Sequence, residues 1–396
     1  MSLRELPPEQ AVRRDRWRHL RYVPLIALMV AAVLAATGGF YVTLRQQAAA
    51  SEVATPSATA SSGPTALPAS CTPAVDPPAG EPWMSSDSTH SETTWAEHAD
   101  ELSEPYVIGR DGFVFWGDIQ AENFSQAVGR RYLSAEELAT WRTYLTTLRD
   151  GLAAQGVPLY VVVAPAKWGA YPDELPAWTD GLVGSSALDQ LLAANPDLPF
   201  VDLRAPLRDA ARTTPVYSRV NSHWTDYGAA VAWTAISGCI AASDPDLAAI
   251  HLPETTGVTV SDGGSEFAQW GLTSPVPDWT TPEFAEPLLP VSLSIAGAAP
   301  TTVDGTRRVG LGELPARTWT DGAQADATAL VVRDSFGVSL APYLQQSFAR
   351  TVQVRHMFDY PPDQQPDILA LSATEKPDVV ILEIAQRHLE FPPPVP

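Results

Sequence analysis

Two stretches hold residue types that could do chemistry together. "ALVVRDSFGVSLAPYL" (329–344) passes from an apolar run into Arg-Asp-Ser-Phe-Gly and then into a helical pattern. Ser335 is there either a residue of a turn that leads into a helix or a nucleophile. A serine nucleophile needs a base, usually histidine, to take its proton, and a third group to orient that base. The seven histidines are few enough to sort. His19 precedes a long apolar run, His90 and His98 lie near a low-complexity stretch, and His251 begins a segment of different texture. His356 and His388 stand at or just after strand-like runs and read as ordinary polar residues. His223 differs. It stands in "VYSRVNSHWTDYGAAVAW", immediately before a helical pattern that Thr225 or Asp226 can cap. Asn221 is two residues before it, and Trp224 beside it could wall a site. From the residues alone, 221–223 reads equally as a loop or as part of a site.

Other chemistries lack their signatures. There is no Gly-x-Ser-x-Gly elbow, His-Glu-x-x-His pair, phosphate-binding loop or Cys-x-x-Cys pair. Metal and nucleotide chemistry therefore have no support, and no cofactor is expected.

The elements that must position Ser335 and His223 follow from periodicity. "SAEELATWRTYLTTLRDGLAAQG" is a helix, with a capping box from Ser134 and Glu137 and an apolar stripe through Leu138, Trp141, Leu145, Leu148 and Leu152. Buried-type strands are expected at 158–165, 199–203, 329–333, 351–356 and 378–385, and helices at 226–242, 337–349 and 364–374. "RDGFVFWGD" (110–118) reads as a strand or hairpin. Short apolar strands alternating with helices predict a mainly parallel sheet covered on both faces, with function at the carboxyl ends of its strands. Residues 250–325, rich in Pro, Thr and Gly, predict a β-rich insertion or cap.

The amino-terminal region has a different character. Residues 1–21 carry six arginines against three acids, a net +3, and leave −24 on the remainder of a chain of net charge −21. Residues 22–44 hold no charge and are long enough to cross a bilayer as a helix; the arginines before them set the amino terminus inside. A cleaved signal peptide is the alternative, and either way the rest is exported. Residues 45–80, rich in Ala, Ser, Thr and Pro, predict a disordered spacer, and 81–396 the exported domain. An acidic domain is a poor partner for nucleic acid. Cys71 and Cys239 both lie on the exported side, where a disulfide is permitted and two free thiols are equally compatible.

Five ordered segments resemble the AlgX/AlgJ-type family of SGNH-hydrolase-like proteins, which is linked to O-acetylation of exported polysaccharides. They are "GRDGFVFWGD", "VVVAPAKWGAYPDELP", "YSRVNSHWTDYGA", "VVRDSFGVSLAPYLQQSFARTVQVRH" and "KPDVVILEIAQRHL". The resemblance covers roughly 105–390, the insertion excepted. It implies a three-layer α/β/α SGNH-like domain with a mainly parallel sheet, preceded by one transmembrane helix. It implies Ser335 as nucleophile and His223 as base, and it puts Asn221 where the family has its acid. An Asn can hold the tautomer of His223 but cannot stabilise the imidazolium. Asp202, Asp226 and Asp334 are the other acids available to it. Lys167 and Tyr171, with Glu383 and Arg387, are carried over as site-wall or scaffold residues, and the last two could pair on one helical turn. Arg333 stands where the related motif often has Gly, as a solvent-facing residue or a contact for an anionic sugar.

The resemblance implies a membrane-anchored O-acetyltransferase, acting outside the membrane on a cell-surface polysaccharide. A membrane-bound acyltransferase of the MBOAT type would be the acetyl donor. An acetyl-esterase with the same residues is one alternative. A catalytically silent glycan-binding or scaffold subunit is another, and Asn221 is its support.

Overall fold

Strands buried on both faces are mostly apolar, and this explains the runs in the sequence. The computed structural model describes residues 67–72 and 88–394. The expected cytoplasmic tail (1–21), membrane span (22–44) and most of the spacer lie outside the described residues. Among the described residues no helix is long and apolar enough to cross a membrane.

Helix α1 (Ser88–Glu97) precedes a hairpin of β1 (Tyr106–Ile108) and β2 (Val114–Trp116). Helix α2 (Ala135–Ala153) has both halves of the capping box expected of Ser134 and Glu137. It leads into β3 (Leu159–Ala164), α3 (Ala187–Ala194), β4 (Phe200–Asp202), α4 (Arg204–Ala211) and α5 (Asp226–Ser243). After β5 (Thr255–Ser261) and β6 (Trp279–Phe284) come β7 (Val291–Ile295), β8 (Thr301–Val303) and β9 (Ala316–Trp319). The chain closes with β10 (Ala325–Arg333), α6 (Gly337–Ser347), β11 (Phe348–Arg355), α7 (Ile368–Glu375) and β12 (Val379–Ala385).

The main sheet has eight strands in the order β4-β3-β12-β10-β11-β9-β7-β8. The first five run parallel. The last three are antiparallel, so the sheet is mixed rather than almost wholly parallel. Much of the expected insertion thus extends the sheet edge. Only β5 and β6 form a separate two-stranded ribbon.

Alternation along β3 divides the core into two layers. Tyr160, Val162 and Ala164 pack on the face that also holds Trp233 and Ile236 of α5 and Leu340 of α6. Leu159, Val161 and Val163 pack on the opposite face with Trp141, Leu145 and Leu148 of α2. This is the α/β/α arrangement the runs predict.

Residues 67–72 depart from the spacer expectation. Cys71 is buried and forms a disulfide with Cys239 of α5, 168 residues away in sequence. Its carbonyl accepts the Asp202 N–H at 2.9 Å, which seats the segment beside the end of β4.

Candidate active site

The carboxyl ends of β10 and β12, and the loop before α5, meet at Ser335. Ser335 is half-buried within an otherwise mostly buried run, two residues past the end of β10. Its Oγ lies 2.8 Å from Nε2 of His223. His223 is carried by the loop that Thr225 terminates. The Thr225 hydroxyl accepts the Gly228 N–H at 3.0 Å and caps α5. Gly228 is required there, because a Cβ would stand 2.2 Å from the Val216 carbonyl oxygen.

The other ring nitrogen of His223 faces a carboxylate that the sequence reading did not single out. Nδ1 lies 2.8 Å from Oε1 of Glu266. Oε2 of Glu266 accepts the Ser222 N–H at 2.7 Å, and the Glu266 N–H donates to the Val220 carbonyl at 3.1 Å. Phe267, fully buried against Val114 and Val220, pins this short loop under the hairpin. Burial by itself would raise the Glu266 carboxyl. The hydrogen bond and charge of His223, with the Ser222 N–H, outweigh it and hold the carboxyl down to about 2.

Asn221 is a secondary partner. Its Oδ1 is 3.2 Å from Nδ1 and accepts the His223 backbone N–H at 2.9 Å, a local turn contact. The carboxylate missing at position 221 is supplied 45 positions later, from the segment read as an insertion. None of the other acids considered serves. Asp202 binds Arg204, and Asp226 binds Arg308 and the Trp279 indole.

Asp334 anchors the turn that carries Ser335. One oxygen accepts the Phe336 N–H at 2.9 Å; the other accepts the Ala385 N–H at 2.7 Å and meets His388 Nδ1 at 3.0 Å and His356 Nε2 at 3.3 Å. Burial would raise this carboxyl, but the two imidazoles hold it well below the usual range. Glu383, fully buried behind it, is pushed well above its usual range by burial and by the Asp334 charge. Glu383 accepts the Asp334 N–H at 3.0 Å and is not paired with Arg387.

Asp334, His356 and His388 form a cluster of metal-ligand type among the described residues. The hydrogen bonds argue against that use. Nδ1 of His356 accepts the Phe358 N–H at 3.0 Å, so the ring proton sits on Nε2, which faces Asp334 as a donor and not as a ligand. The sequence reading passed over both histidines because only the sheet brings them together.

Four wall residues take other places. Arg333 is fully buried, not solvent-facing and not exposed to a sugar. Its guanidinium donates to Gln353 Oε1 at 3.0 Å and to the Asp334 and Val309 carbonyls at 3.0 and 2.7 Å. Burial lowers its pKa to about 10. Its side chain crosses Gly337 so closely that a Cβ there would stand 2.2 Å from Arg333 Cδ. Trp224 is fully buried and does not line an open wall; its indole N–H donates to the Phe336 carbonyl at 3.0 Å and ties the histidine loop to the nucleophile turn. Lys167 is buried beneath that loop, donating to the Ser218 and Arg219 carbonyls at 3.3 and 2.6 Å. Tyr171 accepts the Val216 N–H at 2.9 Å. All four hold the scaffold of the site.

Residues 107–285 match the family described as "SGNH hydrolase-like domain, acetyltransferase AlgX". The match includes His223 and Glu266; Ser335 lies beyond it. A probable alginate O-acetylase AlgJ of Pseudomonas putida is 32% identical over 138 residues, which are 34% of this chain and 33% of that protein. The chain is AlgX/AlgJ-like. Its matched stretch spans about a third of the length of that curated relative. Two solved structures are also similar to this AlgX/AlgJ-like chain. Bacillus cereus PatB1 with a sulfonyl adduct has a TM-score of 0.47 at 15% identity, covering 65% of this chain and 91% of that one. The O-acetyltransferase domain of Pseudomonas putida AlgJ has a TM-score of 0.40 at 20% identity, covering 72% and 92%. The SGNH-hydrolase-like α/β domain expected from the sequence is therefore present, on a mixed sheet.

Proposed function

We propose that this chain transfers an acetyl group through Ser335 to a hydroxyl of a cell-surface polysaccharide, outside a membrane to which residues 22–44 anchor it. The observation that carries this reading is the hydrogen-bonded series Ser335–His223–Glu266, at 2.8 Å and 2.8 Å, at the carboxyl end of the main sheet, with His223 and Glu266 inside the AlgX family match.

Each group has a role set by its contacts. His223 Nε2 takes the Ser335 proton as Oγ attacks the acetyl carbonyl of the donor ester. The imidazolium so formed is stabilised by the Glu266 carboxylate on Nδ1. The Ser335 N–H, at the strand-to-helix turn before α6, is the proposed backbone donor for the oxyanion. Collapse expels the donor alkoxide, which takes the proton from Nε2 and leaves acetyl-Ser335. The acceptor hydroxyl then gives its proton to Nε2 and attacks the acetyl carbon, and Ser335 Oγ departs with that proton. A membrane-bound acyltransferase of the MBOAT type is the proposed acetyl supplier.

The test is turnover of a chromogenic acetyl ester by the full chain, with and without an oligosaccharide acceptor. Acetylated saccharide and an acetyl adduct on the Ser335 peptide are the expected products. Unchanged turnover by Ser335→Ala would sink the nucleophile assignment. Acetate alone, at any acceptor concentration, would make the chain an acetyl-esterase.

A further inference from the structure

A cavity of about 260 Å³ lies where β6, α6 and the first residue of α5 meet, with Leu288 and Arg308 completing its wall. It stands at the small end of ligand sites, which run from about 300 Å³ upward, so it suits one small unit. Phe284, Leu288, Pro342 and Tyr343 supply its apolar surface. The Tyr343 hydroxyl donates to the Asp226 carbonyl at 2.8 Å, which leaves the ring for the cavity. The polar surface centres on Asp226, whose side chain is only 8% exposed. Its Oδ2 accepts the Trp279 indole N–H at 3.0 Å and the Thr281 hydroxyl at 3.2 Å, and pairs with Arg308. Every hydrogen bond of this carboxylate ends on that oxygen; Oδ1 has none among the described residues. A nearly buried carboxylate oxygen without a donor calls for an explanation.

The groups around that oxygen supply one. Arg308 lies with Cζ 5.8 Å from the centre of the Trp279 ring and gives one amino group to Asp226. Its remaining N–H groups have no protein acceptor among the described residues, so they are donors open to a ligand. The Thr281 and Thr306 hydroxyls donate to Asp226 and Asp304, at 3.2 and 2.6 Å, and keep lone pairs free. The cavity thus offers an anionic acceptor, cationic donors, two hydroxyl oxygens and apolar faces. A hydroxyl both donates and accepts, so a polyol ring satisfies this set. Asp226 and Arg308 cancel in charge. An anionic unit would meet the open carboxylate oxygen and a cationic unit the guanidinium, and both contacts are unfavourable. The walls also hang on the catalytic machinery. Asp226 is three residues from His223, at most about 11 Å of chain. Val309, next to Arg308, accepts from Arg333 at 2.7 Å, two residues before Ser335. Asp278, next to Trp279, accepts the Arg219 N–H at 2.8 Å in the loop that leads to His223.

We propose that this cavity is a second saccharide subsite, which holds a neutral, hydroxyl-bearing unit of the glycan apart from the unit that is acetylated. Asp226 and Arg308 take the hydroxyls of that unit, and Tyr343, Phe284 and Pro342 take its C–H face. The proposal rests on the acetyl-transfer reading above for the glycan to which the unit belongs. Binding at the cavity is independent of Ser335 and is measured without it.

The experiment is calorimetric titration of the full chain in detergent micelles with linear trisaccharides of glucose, galactose and mannose, and with the uronate counterpart of each. At least one neutral trisaccharide should bind the wild type. Leu288→Trp, which fills the cavity from a partly buried position, and Arg308→Gln, which removes donors at the exposed rim, should each weaken that binding by roughly 10- to 100-fold in Kd. Thermal melts show which variants fold. Weakened binding in either folded variant supports the proposal, and unchanged binding in both overturns it. Absence of binding by all three neutral trisaccharides overturns it as well. So does tighter binding of a uronate that is lost in the same variants, because the cavity would then take an anion. The burst of p-nitrophenolate from p-nitrophenyl acetate, measured on the same wild-type preparation, reports acetyl-Ser335. Without a burst the acetyl-transfer reading fails by itself, and the titrations still decide for the cavity.

Discussion

Glu266 Oε1 lies 2.8 Å from Nδ1 of His223, closer than Oδ1 of Asn221 at 3.2 Å. The group that faces the base is thus a carboxylate brought in from a loop 43 residues downstream. The shorter contact and the negative charge both favour Glu266 as the partner of the imidazolium.

This relationship sets the first prediction. Glu266→Gln should lower kcat by about 10³–10⁴-fold with KM little changed, because the tautomer of His223 and the charge opposite it are both lost. Asn221→Ala and Asn221→Asp should each change kcat by less than about 10-fold. Steady-state kinetics on an acetyl ester separates the cases. A large gain from Asn221→Asp together with a mild Glu266→Gln would reverse the two assignments.

Asp334 gives the second. Its carboxylate accepts from two backbone N–H groups and meets two imidazoles, so an amide at that position turns donors toward donors. Asp334→Asn should cost about 3 kcal/mol or more of stability. It should also lower kcat, because the Phe336 and Ala385 N–H groups position the nucleophile turn. His388→Asn, which removes one partner only, should be milder. Urea unfolding and kinetics on the same preparations check both, and a fully stable Asp334→Asn protein would contradict the anchoring role.

Lys167 gives a pH dependence with a definite sign. Burial lowers its pKa to about 7, against the opposing pull of Glu266 and Asp278. In the unfolded chain a lysine titrates near about 10.4. Between those values the unfolded chain holds a proton that the folded chain has released. Stability from this group therefore rises with pH across that window, by up to ~5 kcal/mol. Lys167→Met should flatten the rise seen between pH values near 7 and near 10. Equal slopes for wild type and variant, measured by denaturant unfolding, would count against a buried, depressed lysine.

The Cys71–Cys239 bond closes a 168-residue separation. In the chain-entropy description a link of this length contributes roughly 5 kcal/mol. Cys71→Ser, Cys239→Ser and the double variant should therefore lose similar stability, each with a lowered Tm. Reductant should bring the wild type to the same value. A double variant much worse than either single one would point to packing losses instead.

Much of the fold was legible because its signals are local. The capping box at Ser134, the apolar stripe of α2 and the apolar runs within β3, β10 and β12 are written in consecutive residues, and those runs are apolar because both faces are covered. Residues 250–325 were less legible. Three of their strands, β7, β8 and β9, join the edge of the main sheet through antiparallel pairing, which leaves no local mark. Arg333, Trp224 and Lys167 were misplaced for a related reason: polar or amphipathic side chains read as exposed until a buried set of acceptors is seen around them.

Ser335 at a strand end and His223 before a helix were available from residue type and position alone, with the family segments favouring their pairing. Which acid serves His223, and which groups clamp Asp334, were decided only by the tertiary structure. A triad needs three atoms within hydrogen-bond reach, and residues 223, 266 and 335 come within it through the ends of different elements. Sequence separation carries no information about such a meeting.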